Sequence, residues 1–201
     1  MRPLAVAPYE LARPQRQIGL SGHLGDVATT IGGDILTGLR YVAGGALVAV
    51  GASESLMPVH PITGTAQAIA TMATGDFSLS HIARNFVNGP STTFGLGLGL
   101  IGNADLHYDK KTGMWLATSS SSGFGRGGTT YGSTFVTDNP NPDERRLHHE
   151  SIHSWQWASF GGGINFGIAY LTEEIFHPGE ENIFERQAGL ADGCYTPRPG
   201  C

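Results

Sequence analysis

The segment Leu147–Trp157, LHHESIHSWQW, determines how the rest of this sequence is interpreted, because it combines a metal-binding pattern with two of the chain's three tryptophans. It predicts either a metal-binding helix with a catalytic carboxylate or an aromatic core helix that also carries histidines. His149 and His153 are four residues apart, so on a helix their imidazoles project from one face, one turn apart. Two neutral imidazole nitrogens at this separation can share a zinc ion at about 2.0–2.1 Å.

The residues around these histidines complete a recognisable pattern. Glu150 points about 100° around the helix, beside a bound metal rather than onto it. The segment HESIH therefore fits H-E-x-x-H, in which two histidines hold the metal and the carboxylate takes a proton from water. His148 cannot share the ligand face and is assigned to the surface or to the surroundings of the site. Gln156, close to the ligand face, either bonds into the site or satisfies a buried backbone group.

A zinc site with one open position needs a third protein ligand, and this helix supplies only two. Glu185 is the preferred candidate, because it lies on a short downstream helix, NIFERQAGLAD, that can return antiparallel to the first. The competing interpretation is a capping box, since Asn182 and Glu185 stand in N-cap and N3 relation. Asp192, on the same helical face as Glu185, either orients a ligand histidine or is a solvated surface carboxylate. Three rival ligands lie near the HPGEE loop: Glu173, Glu174 and His177.

The rest of the chain predicts an α+β fold with three zones after an extended arm at residues 1–20. Residues 21–90 are rich in Gly and Ala and have helical spacing. In TFGLGLGLIG, from Thr93, leucine alternates with glycine, and this period of two predicts a strand. The segment ADLHYDKKTGMWLAT predicts a hairpin with Gly113 in its turn, and TTYGSTFV predicts a further strand. We therefore expect N-terminal small-residue helices and a small antiparallel sheet before the histidine helix.

Residues 138–193 are expected to be helical again. In DNPNPDERR, Asn141 is a candidate N-cap, Pro142 suits the first helical position, and acidic residues follow. The glycines from Gly161 are expected to end this helix, and the short Glu185 helix is expected to end at Gly193. Residues 194–201 form a tail with the two cysteines, Cys194 and Cys201, which are either disulfide-bonded or free thiols.

Composition excludes some partners. The formal net charge of −5 and the absence of a basic cluster argue against nucleic-acid binding. No secretory signal is visible, because the N-terminal apolar run is interrupted at Pro8. The segment Tyr41–Ala52 is apolar but shorter than the roughly 20 residues that cross a bilayer. It is interpreted as a buried small-residue helix, and membrane contact is the weaker alternative.

Taken together, three separated segments resemble a known group of domains. The sequence is similar to the zinc-metallopeptidase-like domains near the C-terminal ends of bacterial polymorphic toxins of the Rhs type and related secreted proteins. These domains share a Thr-x-Gly strand, a helix of the form Leu-x-His-Glu-x-x-His-x-x-Gln, and an Asn-x-Phe-Glu-x-x-Ala segment. The matching positions here are Thr130, Gly132, Leu147, His149, Glu150, His153, Gln156, Asn182, Phe184, Glu185 and Ala188.

The resemblance implies a zincin-like fold in which residues 91–193 form the metallopeptidase-like domain. It implies Zn²⁺ held by His149, His153 and Glu185, with Glu150 as the base. It also implies a secreted or delivered effector within a longer chain, a peptide or protein substrate, and an immunity protein as partner. The tail GCYTPRPGC lies outside the shared pattern, and no residue is an obvious stabiliser of an oxyanion, for which the candidates are Tyr170, His177 and Tyr195.

Three functions therefore follow as hypotheses. The first is a zinc-dependent hydrolase, most simply a peptidase, in which Glu150 activates water. The second is a toxin-associated module that binds metal or membranes without catalysis, since the apolar half from Gly32 to Ala73 could contact a bilayer. The third is a structural domain in which His149 and His153 pack in the core.

Overall fold

A computed structural model describes the backbone of residues 20–122 and 127–196 and the side chains from residue 33 onward within these ranges. The predicted arm falls almost wholly outside the described residues, and so do Cys201 and most of the tail. The chain divides into two compact units, Met1–Leu36 and Thr37–Cys201. The described part of the first unit is helical, and the second unit contains every other element.

The described residues form an α+β fold with seven α-helices and a mixed four-stranded sheet, as the sequence predicted for the fold class. The helices expected within residues 21–90 are present as α1 to α3, and a single 3-10 turn, Gly179–Glu181, precedes the last helix. In chain order the elements are α1 (Leu20–Glu54), α2 (Pro61–Ala73), α3 (Leu79–Val87), α4 (Gly89–Ile101), β1 (Asp105–Asp109), β2 (Met114–Thr118), β3 (Thr129–Tyr131), β4 (Thr134–Val136), α5 (Glu144–Ser159), α6 (Ile164–Phe176) and α7 (Ile183–Ala188).

The alternating leucine–glycine segment is a helix, α4, so its predicted strand was wrong. A Cβ on Gly95 would lie 2.9 Å from Thr134, and one on Gly99 would lie 2.7 Å from Ala117, so both glycines face the sheet. A Cβ on Gly97 would lie 2.6 Å from the carbonyl oxygen of Gly44 in α1. The glycines therefore lie on two opposite faces of α4, one packed on the sheet and one packed on α1. Because glycine is needed on both faces, it recurs at every second position although the segment is a helix.

The close approach of α1 and α4 predicts a stability effect. Replacing Gly97 with alanine should lower the free energy of unfolding by about 1–3 kcal/mol, because the new methyl group meets backbone atoms of α1. Gly45, also in α1, has no neighbour within 4 Å of its Cβ position, so its alanine variant should be roughly 0.5–1 kcal/mol more stable. Urea denaturation of both variants measures the difference, and equal stability would contradict this packing.

The sheet has the strand order β1-β2-β4-β3 and is mixed, so the prediction of an antiparallel sheet is only partly correct. The predicted hairpin is confirmed: β1 and β2 pair antiparallel, and Gly113 in the turn has φ 69°. β3 and β4 are joined by a tight turn in which Gly132 has φ 60°. This turn returns β4 between β3 and β2, where β4 pairs with β2 in parallel.

The sheet lies between α4 and α5. One face carries Ala117 and Val136, which cluster with Ala104 near the glycines of α4. The opposite face carries Leu116 and Phe135, which pack with Met114 and with Leu147 of α5. The histidine helix is therefore held on the face of the sheet away from α4.

Some helix ends differ from the predicted ones. The N-cap of α5 is Asp143, whose side chain accepts a hydrogen bond from the backbone N–H of Arg146 at 2.8 Å, so Asn141 and Pro142 precede the helix. The short C-terminal helix α7 was predicted to end at Gly193, but it ends five residues earlier, at Ala188, because Gly189 has φ 96°. Helix α6 was not predicted as a separate element, although Ile164, Ile168, Leu171 and Ile175 recur at helical spacing in its sequence.

Candidate metal centre

Helix α5 presents two histidines inward at one point of its length. His149 and His153 lie one turn apart and are buried, with 2% and 6% of their surfaces exposed. The distance between their Nε2 atoms is 3.1 Å, so both rings direct the same nitrogen to one place. The predicted pair of ligands is therefore brought together on one helix face.

Glu185 reaches the same place from α7. Asn182 caps this helix, as its side chain accepts a hydrogen bond from the backbone N–H of Phe184 at 2.9 Å. The Oε2 atom of Glu185 lies 3.1 Å from Nε2 of His149 and 3.4 Å from Nε2 of His153. Asn182 is therefore an N-cap, as the capping-box interpretation expected, but the Glu185 carboxylate contacts the two histidines.

The outer ring nitrogens indicate which tautomer each histidine adopts. Nδ1 of His149 lies 3.1 Å from the carbonyl oxygen of Gly189, an atom that can only accept a hydrogen bond. Nδ1 of His153 lies 2.8 Å from Oε1 of Gln156, whose amide nitrogen donates to the carbonyl oxygen of Phe184. Both Nδ1 atoms must therefore carry the proton in the neutral rings, which leaves both Nε2 lone pairs directed at the Glu185 carboxylate.

Three electron-pair donors converge without an intervening hydrogen-bond donor, which is the arrangement of a cation site. Oε2 of Glu185 is buried and has no hydrogen-bond partner. Ligands about 2.0–2.1 Å from a tetrahedral ion lie roughly 3.3 Å from one another, close to the separations of 3.1, 3.1 and 3.4 Å found here. The buried cluster His149, His153 and Glu185 could therefore hold a metal ion.

The charge state of the cluster favours a positive occupant. Burial alone would raise the pKa of Glu185, but the neighbouring His149 and His153 rings and the Tyr170 hydroxyl outweigh it and hold the pKa well below its usual range. Burial alone would lower the pKa of His153, but Glu185 and Glu150 outweigh it and raise that pKa. Without a bound ion, a proton on an Nε2 atom stabilises the Glu185 anion, and a metal ion would take the place of this positive charge.

Glu150 is buried beside the cluster and is held by two donors. Its Oε1 atom lies 2.9 Å from Nε of Arg146, one helical turn earlier. Its Oε2 atom accepts a hydrogen bond from the hydroxyl of Thr130 in β3 at 2.8 Å. The carbonyl oxygen of Thr130 in turn accepts from the indole N–H of Trp157 at 3.0 Å. These contacts fix the Glu150 carboxylate against the edge strand of the sheet.

A cavity of about 530 Å³ opens onto the cluster and onto Glu150. One part of its wall is aromatic or aliphatic, and a second part carries the ionisable groups. The apolar lining includes Tyr131, Trp157, Phe166, Tyr170, Leu171 and Tyr195, and the ionisable lining includes Arg146, His149, Glu150, His153, Glu174 and Glu185. The three candidate ligands and the candidate base therefore face one shared cavity.

The other predicted site residues occupy different positions. Gln156 supports His153, as one of its two interpretations proposed. Asp192 pairs with Arg145, with 2.6 Å between the carboxylate and guanidinium, while Nδ1 of His149 is contacted by the Gly189 carbonyl group. The rival ligands bind elsewhere: Glu173 contacts His177 at 3.1 Å, and Glu174 accepts from the backbone N–H of Gly179 at 3.1 Å.

Several residues near the centre were not identified from the sequence as its supports. The hydroxyl of Tyr170 donates a hydrogen bond to Oε1 of Glu185, and Arg146 donates to the carbonyl oxygen of Gly193 at 2.7 Å. Tyr170 was only one of three oxyanion candidates, because the helix that carries it was not predicted. Thr130 was matched in the shared pattern, yet its bond to Glu150 depends on the pairing of distant elements.

Gly193 lies directly against a candidate ligand. A Cβ at this position would be 2.3 Å from Cε1 of His149, so the Gly193→Ala variant must displace the ring. We expect the affinity for zinc to fall about tenfold or more, as when a supporting partner of a ligand is lost. Competition with a zinc-binding dye measures the affinity. Gly45→Ala is the matched control, and an unchanged affinity in Gly193→Ala would contradict the contact.

Cys194, next to Gly193, is disulfide-bonded, and the other cysteine of the chain lies outside the described residues.

Comparison with family models, with curated proteins and with solved structures finds no match to this chain.

Proposed function

We propose that this protein is a zinc-dependent hydrolase and that its substrates are peptides or proteins. The observation that carries the proposal is the convergence of His149, His153 and Glu185, with Glu150 beside them, on one cavity. Two imidazoles and one carboxylate form a donor set that suits zinc, and three protein ligands leave a position open for water or substrate. When bound in such a site, zinc lowers the pKa of water and polarises a carbonyl group.

Glu150 is the proton carrier in this proposal. It faces the cavity, and the hydrogen bond from Thr130 and the ion pair with Arg146 hold its carboxylate in a defined orientation. The carboxylate takes a proton from the attacking water and passes it to the leaving amine nitrogen. Such a general acid–base group contributes about 10²–10⁴-fold to a rate.

The resemblance of the sequence to toxin domains supports a biological role for this chemistry. We propose that the chain acts as an effector in a target cell, delivered as part of a longer polypeptide and neutralised in the producing cell by an immunity protein. The support for this role is the match of Thr130 and Gly132, of the helix motif from Leu147, and of the segment from Asn182 to the pattern of those domains.

A direct experiment separates hydrolysis from metal binding alone. The purified protein is first analysed for bound elements without chelator and then incubated with an unfolded protein whose fragments are identified by mass spectrometry. We expect close to one equivalent of zinc and cleavage at internal peptide bonds. A chelator should stop cleavage, and added zinc should restore it. Stoichiometric zinc without cleavage of any substrate would contradict the hydrolase and leave a metal-binding domain.

One observation favours the second candidate function, a metal site without catalysis. Both carboxylate oxygens of Glu150 already have partners, Arg146 and Thr130, as in a structural ion pair. In that case the metal would fix α7 on α5, and the chelator would lower the thermal stability of the protein without an activity to lose.

A further inference from the structure

In the part of α1 from Thr37 to Glu54, the side that does not pack on α4 is apolar and exposed. The stretch Gly33–Glu54 has 22 residues and is long and apolar enough to cross a bilayer, and only 11% of its apolar window is buried. Within the second unit, Leu39 and Val42 are 62% and 73% exposed. Soluble proteins rarely leave apolar helix surface of this extent uncovered.

This surface continues beyond the end of α1. The loop that follows carries Leu56, Met57 and Val59, all of which are more than half exposed. Its backbone lies against the start of α6, where the N–H of Ile164 donates to the carbonyl oxygen of Ser55 at 3.2 Å. The apolar loop and α6 are therefore neighbours.

Helix α6 carries the surface to the rim of the cavity. Ile164, Ile168, Leu171 and Ile175 recur at intervals of three and four, so they form one stripe, and each of them is exposed. Leu171 also lines the cavity. We name three parts of the second unit the apolar face: the outer side of α1 from Thr37 to Glu54, the loop at residues 55–59, and the outer side of α6.

The charged groups of α1 from Thr37 onward and of α6 have partners within the protein. Arg40 of α1 donates to the backbone carbonyl oxygen of Ala104, and Glu54 accepts from the N–H of Thr63 at 2.9 Å. On α6, Glu173 lies beside His177, and Glu174 accepts from Asn182 at 2.9 Å. Among the described residues from Thr37 to Glu54 and along α6, each charged side chain therefore has a partner within the protein.

We propose that the apolar face binds the surface of a phospholipid bilayer. Protein interfaces centre on aromatic and arginine anchors within a polar rim. The exposed side chains of the apolar face are mainly aliphatic, with Tyr41 and Phe176 as its exposed aromatic residues, and from Thr37 to Glu54 and along α6 each charged side chain has a partner within the protein. Such a mainly aliphatic face suits the boundary between headgroups and acyl chains of a bilayer better than a protein partner.

The packing of α1 determines that it lies on the bilayer and does not cross it in this state. Gly44 and Gly51 pack against α4, where their Cβ positions would meet backbone atoms within 2.7 Å. A helix fixed along one side to the folded unit can still bury its other side at the level of the lipid headgroups. The cavity mouth, reached through Leu171, would then open close to the membrane surface.

Flotation with vesicles tests the proposal on the full chain. We expect the protein to float with phosphatidylcholine vesicles. Added anionic phosphatidylglycerol should not strengthen binding, because the net charge of −5 repels it. The double variant Ile168→Asn/Ile175→Asn should bind at least about tenfold more weakly than the wild type. The matched control is Phe77→Asn/Leu79→Asn, which changes two side chains at the start of α3 that are 73% and 83% exposed.

The outcomes separate lipid from protein as the occupant. Failure of the wild-type protein to float, or equal flotation of the Ile168→Asn/Ile175→Asn variant, would overturn the proposal. A dimer in light scattering that dissociates in this variant, without flotation of the wild type, would identify a second copy as the occupant and also overturn it. Flotation should persist in the presence of a chelator, because the apolar face contains none of the candidate metal ligands.

Discussion

Replacement of His149 or His153 by alanine is expected to abolish stoichiometric metal binding. Each histidine supplies one of three converging donor atoms, and the other two cannot close a tetrahedral site around a zinc ion. The loss of affinity should exceed the roughly 10–100-fold that follows removal of a ligand's supporting partner. Elemental analysis of protein purified without chelator gives the stoichiometry, and titration against a competing chelator gives the affinity.

His148 provides the control for this experiment. It is the neighbour of His149 on the same helix, and 66% of its side chain is exposed, so His148→Ala should bind metal like the wild type. The thermal transitions of all three variants, measured with the metal removed, show whether each variant still folds. One equivalent of zinc in both the His149→Ala and His153→Ala proteins would exclude the proposed centre.

The second large effect is expected from Glu150→Gln. The amide keeps the size of the side chain and can still accept from Thr130, but it cannot take up a proton from water. The turnover number should fall about 10²–10⁴-fold, while the zinc content stays at one equivalent. Hydrolysis is followed on a substrate identified by the cleavage experiment, at saturating concentration, so that a change in binding does not hide the change in turnover.

Two further variants separate the role of Glu150 as a base from its role in the ion pair. Glu144→Gln changes a carboxylate on the same helix whose side chain is 81% exposed, and its activity should be unchanged. Arg146→Met leaves the carboxylate of Glu150 but removes its ionic partner, so it should retain measurable turnover. Undiminished hydrolysis by Glu150→Gln would assign the proton transfer to another group and favour a structural role for Glu150.

The centre could be predicted from the sequence because its main part is local. The spacing of His149 and His153 becomes a shared direction on any helix, whatever surrounds it. Glu185 is different, since its approach depends on the path of α6 and on the N-cap at Asn182. Only the distance between the Glu185 carboxylate and the two imidazole rings distinguishes a metal ligand from a member of a capping box.

The errors in the fold have a common physical origin. An alternation of leucine with glycine shows where the small residues are, but it does not show whether the glycines pack against one neighbouring element or two. In α4 they face the sheet at Gly95 and Gly99, and α1 at Gly97, so a helix produces a pattern with period two. The segment TTYGSTFV likewise forms two strands joined at Gly132 where one strand was predicted, and the parallel pairing of β2 with β4 depends on contacts between residues far apart in the chain.

The distance along the chain between α5 and α7 has a consequence for when the protein becomes active. The donor atoms of His149, His153 and Glu185 meet only after the segment from residue 160 to 182 has folded back. An extended chain therefore presents separate, weak ligands and no assembled metal site. For the proposed hydrolase, an unfolded polypeptide would therefore be inert until α7 docks on α5. Activity delayed in this way would protect other molecules that the unfolded chain meets before it folds.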